Sequence, residues 1–395
     1  MNKKIFFSVI IAMLPVFSCT NRTPSTDFDG TVIDIVNPSK NFMSFIAGYD
    51  TIRLETTDEA LIDAIRMLRI MNDRLYILNK TYDKVFIFSR DGKFINRISD
   101  VGQGPKEYIK IICLATDPVH NKILIGDSFS KRLFIYDEDG RQERVIPLNF
   151  NRMGLASDGA DGFVNFYSID NKDIEEPGMR DYCVHFLDSE GRFVSSQIPL
   201  ETQRMDVMTG RDFDCHEDGS IFYQPMLSDI IYCIKDKKVI PCYKLQNKSG
   251  YRTLSEEERK TMTFLFGEKD GLTEKLESGY IIPFGNIMDT DSYVYTAFGG
   301  RNNDEVHLFY NKKTKKSIVF DSDRLSKDES ISNLFLKYIG CAKGDAFYAA
   351  PDLSWINRAL PAMPESKLKT FLENTDADGN PVIISFSIKF PEDTQ

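Results

Sequence analysis

Short apolar runs alternate along this chain with tight polar turns, and one phrase keeps returning: an apolar strand, a polar turn carrying glycine, another strand. It is clearest at Val85-Phe86-Ile87-Phe88-Ser89-Arg90-Asp91-Gly92-Lys93-Phe94. It recurs from Leu133 to Arg141 and from Val184 to Phe193, with weaker copies at Ile231 to Val239 and Val306 to Ser317 and a half-copy from Val382 to Phe390. The turn glycines Gly92, Gly140 and Gly191 lie 48 and 51 residues apart (140 − 92 and 191 − 140). A period of that length with period-2 alternation inside it predicts radially repeated four-stranded sheets. Six copies predict an all-β, six-bladed β-propeller of four-stranded antiparallel blades, with two short helical insertions on one face.

The blades fall at about 65–99, 109–148, 152–200, 210–245 and 280–320, and the sixth runs from near Leu334 to Phe390. That last blade lacks an outer strand. Thr51-Ile52-Arg53-Leu54-Glu55-Thr56, ahead of blade 1, is free to supply it and close the ring, which removes the exposed sheet edges. The insertions are 246–278 and 352–379. Ser255-Glu256-Glu257-Glu258 reads as a capped helix start, and Pro364 to Leu372 as a second short amphipathic helix.

Lys3 and Lys4 precede an apolar run from Ile5 to Phe17, the layout of an export signal and too short to span a membrane as a mature helix. Its end, Val16-Phe17-Ser18-Cys19, resembles a bacterial lipoprotein signal in which the cysteine is lipidated. Residues 1–18 thus read as the signal peptide, 19–50 as the lipidated Cys19 and a tether, and 51–395 as the propeller. The chain has 49 basic and 59 acidic residues, a net charge of −10, and no dense basic stripe, which speaks against nucleic acid as a partner. Lys312, Lys313, Lys315 and Lys316 sit in a hairpin turn and read as a solvated tip. Of seven cysteines, Cys215 and Cys341 share one first-strand repeat position with Leu114, Leu155 and Ile287, so they read as small buried hydrophobes. Cys233 and Cys242 sit diagonally on one hairpin, a poor placement for a bridge.

Gly126-Asp127-Ser128-Phe129-Ser130-Lys131-Arg132-Leu133-Phe134-Ile135-Tyr136-Asp137-Glu138-Asp139-Gly140 resembles an NHL-type repeat. Ile52-Arg53-Leu54-Glu55-Thr56-Thr57-Asp58-Glu59, with Gly102-Gln103-Gly104-Pro105-Lys106-Glu107-Tyr108, is similar to a large family of bacterial six-bladed β-propeller lipoproteins. The resemblance spans nearly the whole mature chain. It implies a propeller and a cell-envelope address, with the lipid anchor on an outer membrane facing the periplasm or the cell surface, and no settled activity.

Connections from second to third strand, and from fourth strand to the next blade, emerge on one face. All the long ones are of these kinds, so that face is expected to bind. The candidate binding residues are Gln103, Lys106, Glu107, Tyr108, Arg301 and Trp355. Gly102 and Gly104 read either as a tight loop needing positive φ or as a backbone cradle for an anion beside Lys106. Trp355, the only tryptophan, either stacks on a ligand ring or pins a loop to the blades. Asp127 reads as a turn-bonding residue, and Arg69 points toward the central channel. His185 and His307 hold equivalent third-strand positions and read as packing residues, with His120 and His216 in turns of the opposite face. No H-x-x-x-H, C-x-x-C or G-x-S-x-G spacing occurs, so no catalytic residue, metal ligand or cofactor is assigned. The expected function is non-enzymatic: a membrane-anchored envelope lipoprotein whose face binds a ligand, a glycan or a partner protein. The alternative is a metal-dependent lactonase, hydrolase or lyase working at the channel. Three or more acidic or amide side chains converging within metal-bonding reach at the channel mouth would favour the latter, and a channel lined by apolar and backbone groups the former.

Overall fold

The computed structural model describes residues 28–148, 154–166, 176–199, 213–262, 271–325, 331–376 and 378–390. Cys19, the signal segment and the tether up to residue 27 lie outside them. The described chain begins on the rim of the propeller. Strand β1 (Thr31–Ile35) and strand β2 (Ile46–Arg53) come first, followed by four strands per blade. Blade 1 is β3 (Ile65–Met71), β4 (Arg74–Asn79), β5 (Val85–Ser89) and β6 (Phe94–Ile98). Blade 2 is β7 (Cys113–Asp117), β8 (Lys122–Asp127), β9 (Arg132–Asp137) and β10 (Gln142–Pro147). Blade 3 is β11 (Gly154–Ser157), β12 (Phe163–Phe166), β13 (Tyr182–Leu187) and β14 (Phe193–Pro199). Blade 4 is β15 (Asp214–Cys215), β16 (Ile221–Tyr223), β17 (Ile230–Lys235) and β18 (Lys238–Asn247). Blade 5 is β19 (Ile282–Asp289), β20 (Tyr293–Gly299), β21 (Glu305–Asn311) and β22 (Lys316–Asp321). Blade 6 is β23 (Ile339–Lys343), β24 (Ala346–Ala349) and β25 (Val382–Ile388), completed by β2.

The composition of each strand follows its depth. Second and third strands are covered by neighbouring blades on both sides, so they read as unbroken apolar runs: Leu75 to Leu78 and Val85 to Phe88 are all buried. Outer strands cover one side only and mix in polar residues, as in Phe94-Ile95-Asn96-Arg97-Ile98, where only Ile98 is fully buried. The recurring turns close by one device. Asp137 and Asp188 each accept two backbone N–H bonds across the turn, at 2.8 to 3.0 Å, and Gly92, Gly140 and Gly191 take the positive φ (87°, 83° and 74°) that the hairpin geometry demands.

Ring closure occurs as expected, with β2 pairing antiparallel to β25 from Ile46↔Ile388 to Arg53↔Val382. The strand starts five residues earlier than the expected Thr51 and ends at Arg53. The rest of the expected tether differs more. β1 adds a fifth, parallel strand to blade 4, with Thr31 opposite Tyr243. Ser39 bridges to Phe320 on blade 5, its N–H donating to Val319 O at 2.7 Å. Phe42 then inserts fully buried among Phe320, Phe335 and Phe386, ring centroids 4.9 to 6.1 Å away. Residues 31–53 are therefore a strap across the rims of blades 4, 5 and 6. Leu334, expected near the start of blade 6, lies instead in a helical turn, where its buried side chain packs into the same core.

The described helices are α1 (Pro177–Arg180), α2 (Glu256–Thr261), α3 (Leu272–Glu277), α4 (Asn333–Leu336), α5 (Leu353–Ala359) and α6 (Lys367–Glu373). Each lies in a second-to-third-strand or blade-to-blade connection, so all emerge on the expected elaborated face. Ser255 caps α2 through a capping box with Glu258. Helix α5 was not legible as periodicity: Asp352 starts it, accepting from the N–H groups of Ser354 and Trp355.

Candidate functional site

First strands of successive blades lie innermost and surround the channel. Leu114, Leu155, Cys215, Ile287 and Cys341 line it, as their shared repeat position predicts, and Arg69 reaches into it. Its volume is about 40 Å³, room for little more than one water molecule. The channel is narrow and its lining is mixed, with Arg69, Thr116 and Asp214 among the apolar side chains and cysteines, and burial pushes the Cys215 thiol up.

On the face carrying the short turns, the channel opens into a cavity of about 590 Å³, within the range of small-ligand sites. Its wall comes from the ends of three first strands and the turns after them: Asp214, His216, Glu217 and Asp218 of blade 4, Asp289 and Asp291 of blade 5, and Lys343 of blade 6, with Phe222 beneath. Because each first strand ends at the rim, whatever follows it in sequence is placed around one opening.

The carboxylates are differently held. Asp214 Oδ2 accepts the Asp289 N–H at 2.7 Å and lies 3.2 Å from His216 Nε2. Asp289 is almost fully buried; Tyr243 Oη donates to it at 2.8 Å and Lys312 Nζ at 2.7 Å. Lys312 is thus turned inward to a buried carboxylate, so the expected solvated lysine tip holds one lysine that serves the cavity wall. Burial raises the Asp289 carboxyl pKa, against the lowering pull of Lys312. For His216 burial disfavours the imidazolium, but the Asp214 carboxylate and, behind it, Asp289 outweigh burial and raise its pKa. Glu217 is held below the usual range by its bond to Lys343, and Asp218 by Lys235 and Ser220. The His216 ring packs 5.0 Å from Phe222, centroid to centroid. Of the five carboxylates, Asp289, Glu217 and Asp218 are paired with Lys312, Lys343 and Lys235, and Asp214 with His216. Among the described residues no three His, Cys, Asp or Glu side chains come together closely enough to hold a metal ion.

The residues expected to bind are not brought together. Tyr108 is fully buried, its hydroxyl donating to Asp83 O at 2.9 Å and its ring against Phe134. It anchors the Gln103 to Tyr108 loop and offers no surface to a ligand. In that loop neither Gly102 nor Gly104 takes a positive φ. The absence of side chains there admits Glu107, whose Oε2 accepts the Gly104 N–H at 2.9 Å and lies where a Cβ on Gly102 would be. The backbone cradle exists, and the chain's own carboxylate fills it. Gln103 and Lys106 are exposed, and the Lys106 carbonyl accepts from Gln142 at 2.8 Å. Arg301 lies on blade 5, largely exposed and 3.8 Å from Glu277 at the end of α3. Trp355 packs α5 onto the core between blades 5 and 6, with Lys337 Nζ at 5.4 Å and Arg358 Cζ at 5.0 Å from its ring centroid.

Other assignments match. Asp127 is completely buried and accepts the Ile109 N–H (2.8 Å), the Phe129 N–H (2.9 Å) and the Ser130 hydroxyl (2.6 Å). His185 and His307 are buried on third strands, and burial drops their pKa values to about 4 and about 3. The elaborated face does carry a cavity, of about 660 Å³, between blade 4 and α2. Its wall is mixed: Leu227, Leu254, Pro283 and Phe298 lie beside Lys244 and Gln246, and Arg259 pairs with Asp229 at 3.3 Å inside it.

Residues 30–387 match the family described as Domain of unknown function (DUF4934), and the chain belongs to that family. The fold is similar to the crystal structure of a "Putative exported protein" from Bacteroides fragilis, with TM-score 0.72 and 16% identity over 91% of this chain and 100% of that one. It is also similar to a member of the DUF4221 family from Bacteroides vulgatus, with TM-score 0.53 and 13% identity over 87% of this chain and 97% of the other. No curated protein matches the sequence.

Proposed function

We propose that this DUF4934 member is an exported, lipid-anchored binding protein that holds a small polar ligand bearing a cationic amine, without turning it over, in the cavity at the channel mouth. The observation that carries this reading is the cavity itself: about 590 Å³ of space rimmed by Asp214, Glu217, Asp218, Asp289 and Asp291. Asp289 is committed to Lys312 and Tyr243, while among the described residues Asp214 bonds a backbone N–H and His216. An ammonium group displacing the proton of His216 as the partner of Asp214 gains a charge-assisted bond, and Phe222 supplies an apolar floor. The export signal read at residues 1–19 supports the envelope address, as does the description of the B. fragilis relative as an exported protein. The narrowness of the channel and the wide spacing of the rim carboxylates among the described residues favour binding over metal-dependent hydrolysis or lysis at the channel.

A second reading places binding on the elaborated face, and the cavity beside α2, where apolar residues lie next to Lys244 and Arg259, favours it. The two readings separate by ligand chemistry, since the mouth cavity selects amines and the α2 cavity molecules with an apolar tail and an anionic head. Thermal melting with spermidine, glucosamine, glucose and decanoate distinguishes them, because a ligand that binds only the folded state raises the melting temperature by mass action. The amines are expected to raise it, with the effect lost in Asp214→Asn. Stabilisation by decanoate alone contradicts the mouth assignment.

A further inference from the structure

The cavity beside α2 is built largely from parts that belong to no repeat. Val32 and Ile35 come from the strap, and Thr253, Leu254 and Arg259 from the insertion after β18. They meet over Leu227, Leu245 and Phe298 of blades 4 and 5. The apolar part of the wall is kept from water: Leu227, Leu245, Leu254 and Phe298 are each 9% exposed or less. The volume of about 660 Å³ is that of a small-molecule site. Three charged side chains line it, two cations and one carboxylate. Arg259 and Asp229 pair with each other at 3.3 Å. Lys244 makes no ion pair or side-chain hydrogen bond among the described residues. Register sets it between Val32 on β1 and Ile230 on β17, so its stem lies in an apolar row and its ammonium group has no counter-charge. In a chain of net charge −10, this cavity carries one surplus positive charge.

We propose that the α2 cavity is a second binding site, separate from the channel mouth, for a long-chain carboxylate. The carboxylate pairs with Lys244, and the hydrocarbon chain lies between the strap and the insertion. Both ends of such a molecule are matched. An inorganic anion leaves the apolar wall uncovered, and a neutral hydrocarbon covers the ammonium group without supplying a partner. A cationic amphiphile meets Lys244 as a like charge. Strand β1 is an edge strand held by β18 alone, so a chain packed against Val32 and Ile35 also fastens the strap to the propeller. The site rests on the cavity of the second reading above and is independent of the amine site.

The test is isothermal titration of the purified protein with hexanoate, octanoate and decanoate below their micelle concentrations, and separately with decanol and spermidine. Decanoate is expected to saturate at one molecule per chain, with affinity rising about three- to fourfold per added CH₂ along the series. Decanol is expected to bind at least about tenfold more weakly than decanoate. Lys244→Met keeps the stem and removes the charge, so it should erase the preference for decanoate over decanol. Val32→Asp places a carboxylate opposite Lys244 at a position 44% exposed, and should abolish decanoate binding. Thermal melts report whether each variant folds. Amide hydrogen exchange over residues 31–35 should slow with decanoate in the wild type and not in Lys244→Met. No saturable binding of decanoate, equal affinity for decanol, or decanoate binding unchanged in both variants overturns the proposal. The spermidine titration keeps the two sites apart. Amine binding without decanoate binding overturns the α2 site alone, and decanoate binding without amine binding supports it while contradicting the site at the channel mouth.

Discussion

Asp127 shows what a single residue does in this repeat. Its buried carboxylate ties the loop entering blade 2, through Ile109, to the turn leaving β8, through Phe129 and Ser130. Asp127→Ala leaves buried N–H groups unsatisfied and should cost about 3 kcal/mol in urea unfolding, while Asp127→Asn, which keeps one acceptor oxygen, should cost less. A loss below about 1 kcal/mol for the alanine variant contradicts the assignment. His216 gives a pH signature. Its pKa is raised in the fold, so the stability it contributes is fully present below its unfolded value of about 6.5 and is lost as pH rises through the folded value. Melting of the wild type should therefore fall more steeply across that window than melting of His216→Gln; equal slopes would show that His216 stays neutral. Asp127 was legible because its role is local, written into the residues just after it. The mouth was not, because Asp214, Asp289 and Lys343 are 75 and 54 positions apart (289 − 214 and 343 − 289). The available signal was acidic residues recurring at or just after the ends of first strands, at Asp117, Asp158, Asp218 and Asp291. It gains meaning only once those strands are known to share an axis.

At the scale of elements, the strap carries the larger surprise. The strands of the blades announced themselves by repetition, and the closing strand by being the unpaired run before blade 1. β1 had no such signal: Thr31-Val32-Ile33-Asp34-Ile35 belongs to no repeat, and its partner β18 is more than two hundred residues away. The break in the blade 4 hairpin, where Tyr232 faces Pro241 but Ile231 faces Tyr243, was hidden for a related reason, since register is a property of two strands and the sequence shows one at a time. The strap divides into parts with separate roles. Removing residues 31–36 takes away an edge strand and should leave a cooperative melt at lower temperature. Removing 31–53 also strips the outer strand from blade 6 and extracts Phe42, so the propeller should lose cooperative melting altogether. A cooperative transition in the longer deletion would show that β2 does not close the ring.

For the whole molecule, the two faces have different characters. Long connections and all the described helices gather on one, where their side chains mostly pack downward, as Tyr108 and Trp355 do. The other has minimal turns, and there the channel mouth concentrates charge. Loop length alone pointed to the elaborated face, while the first-strand ends of blades 4, 5 and 6, brought to one axis, build the cavity opposite. The anchor proposed at Cys19 is tested separately: Cys19→Ala should move the protein from the membrane to the soluble fraction, and persistence in salt-washed membranes contradicts lipidation as the anchor. The most direct test of the central claim is isothermal titration of the wild type, Asp214→Asn and Trp355→Ala with spermidine and glucosamine. Saturable one-to-one binding of at least one amine is predicted, weakened about tenfold or more in Asp214→Asn and unchanged in Trp355→Ala. Absence of saturable binding by either amine, or binding that survives Asp214→Asn and disappears in Trp355→Ala, would contradict a ligand site at the channel mouth.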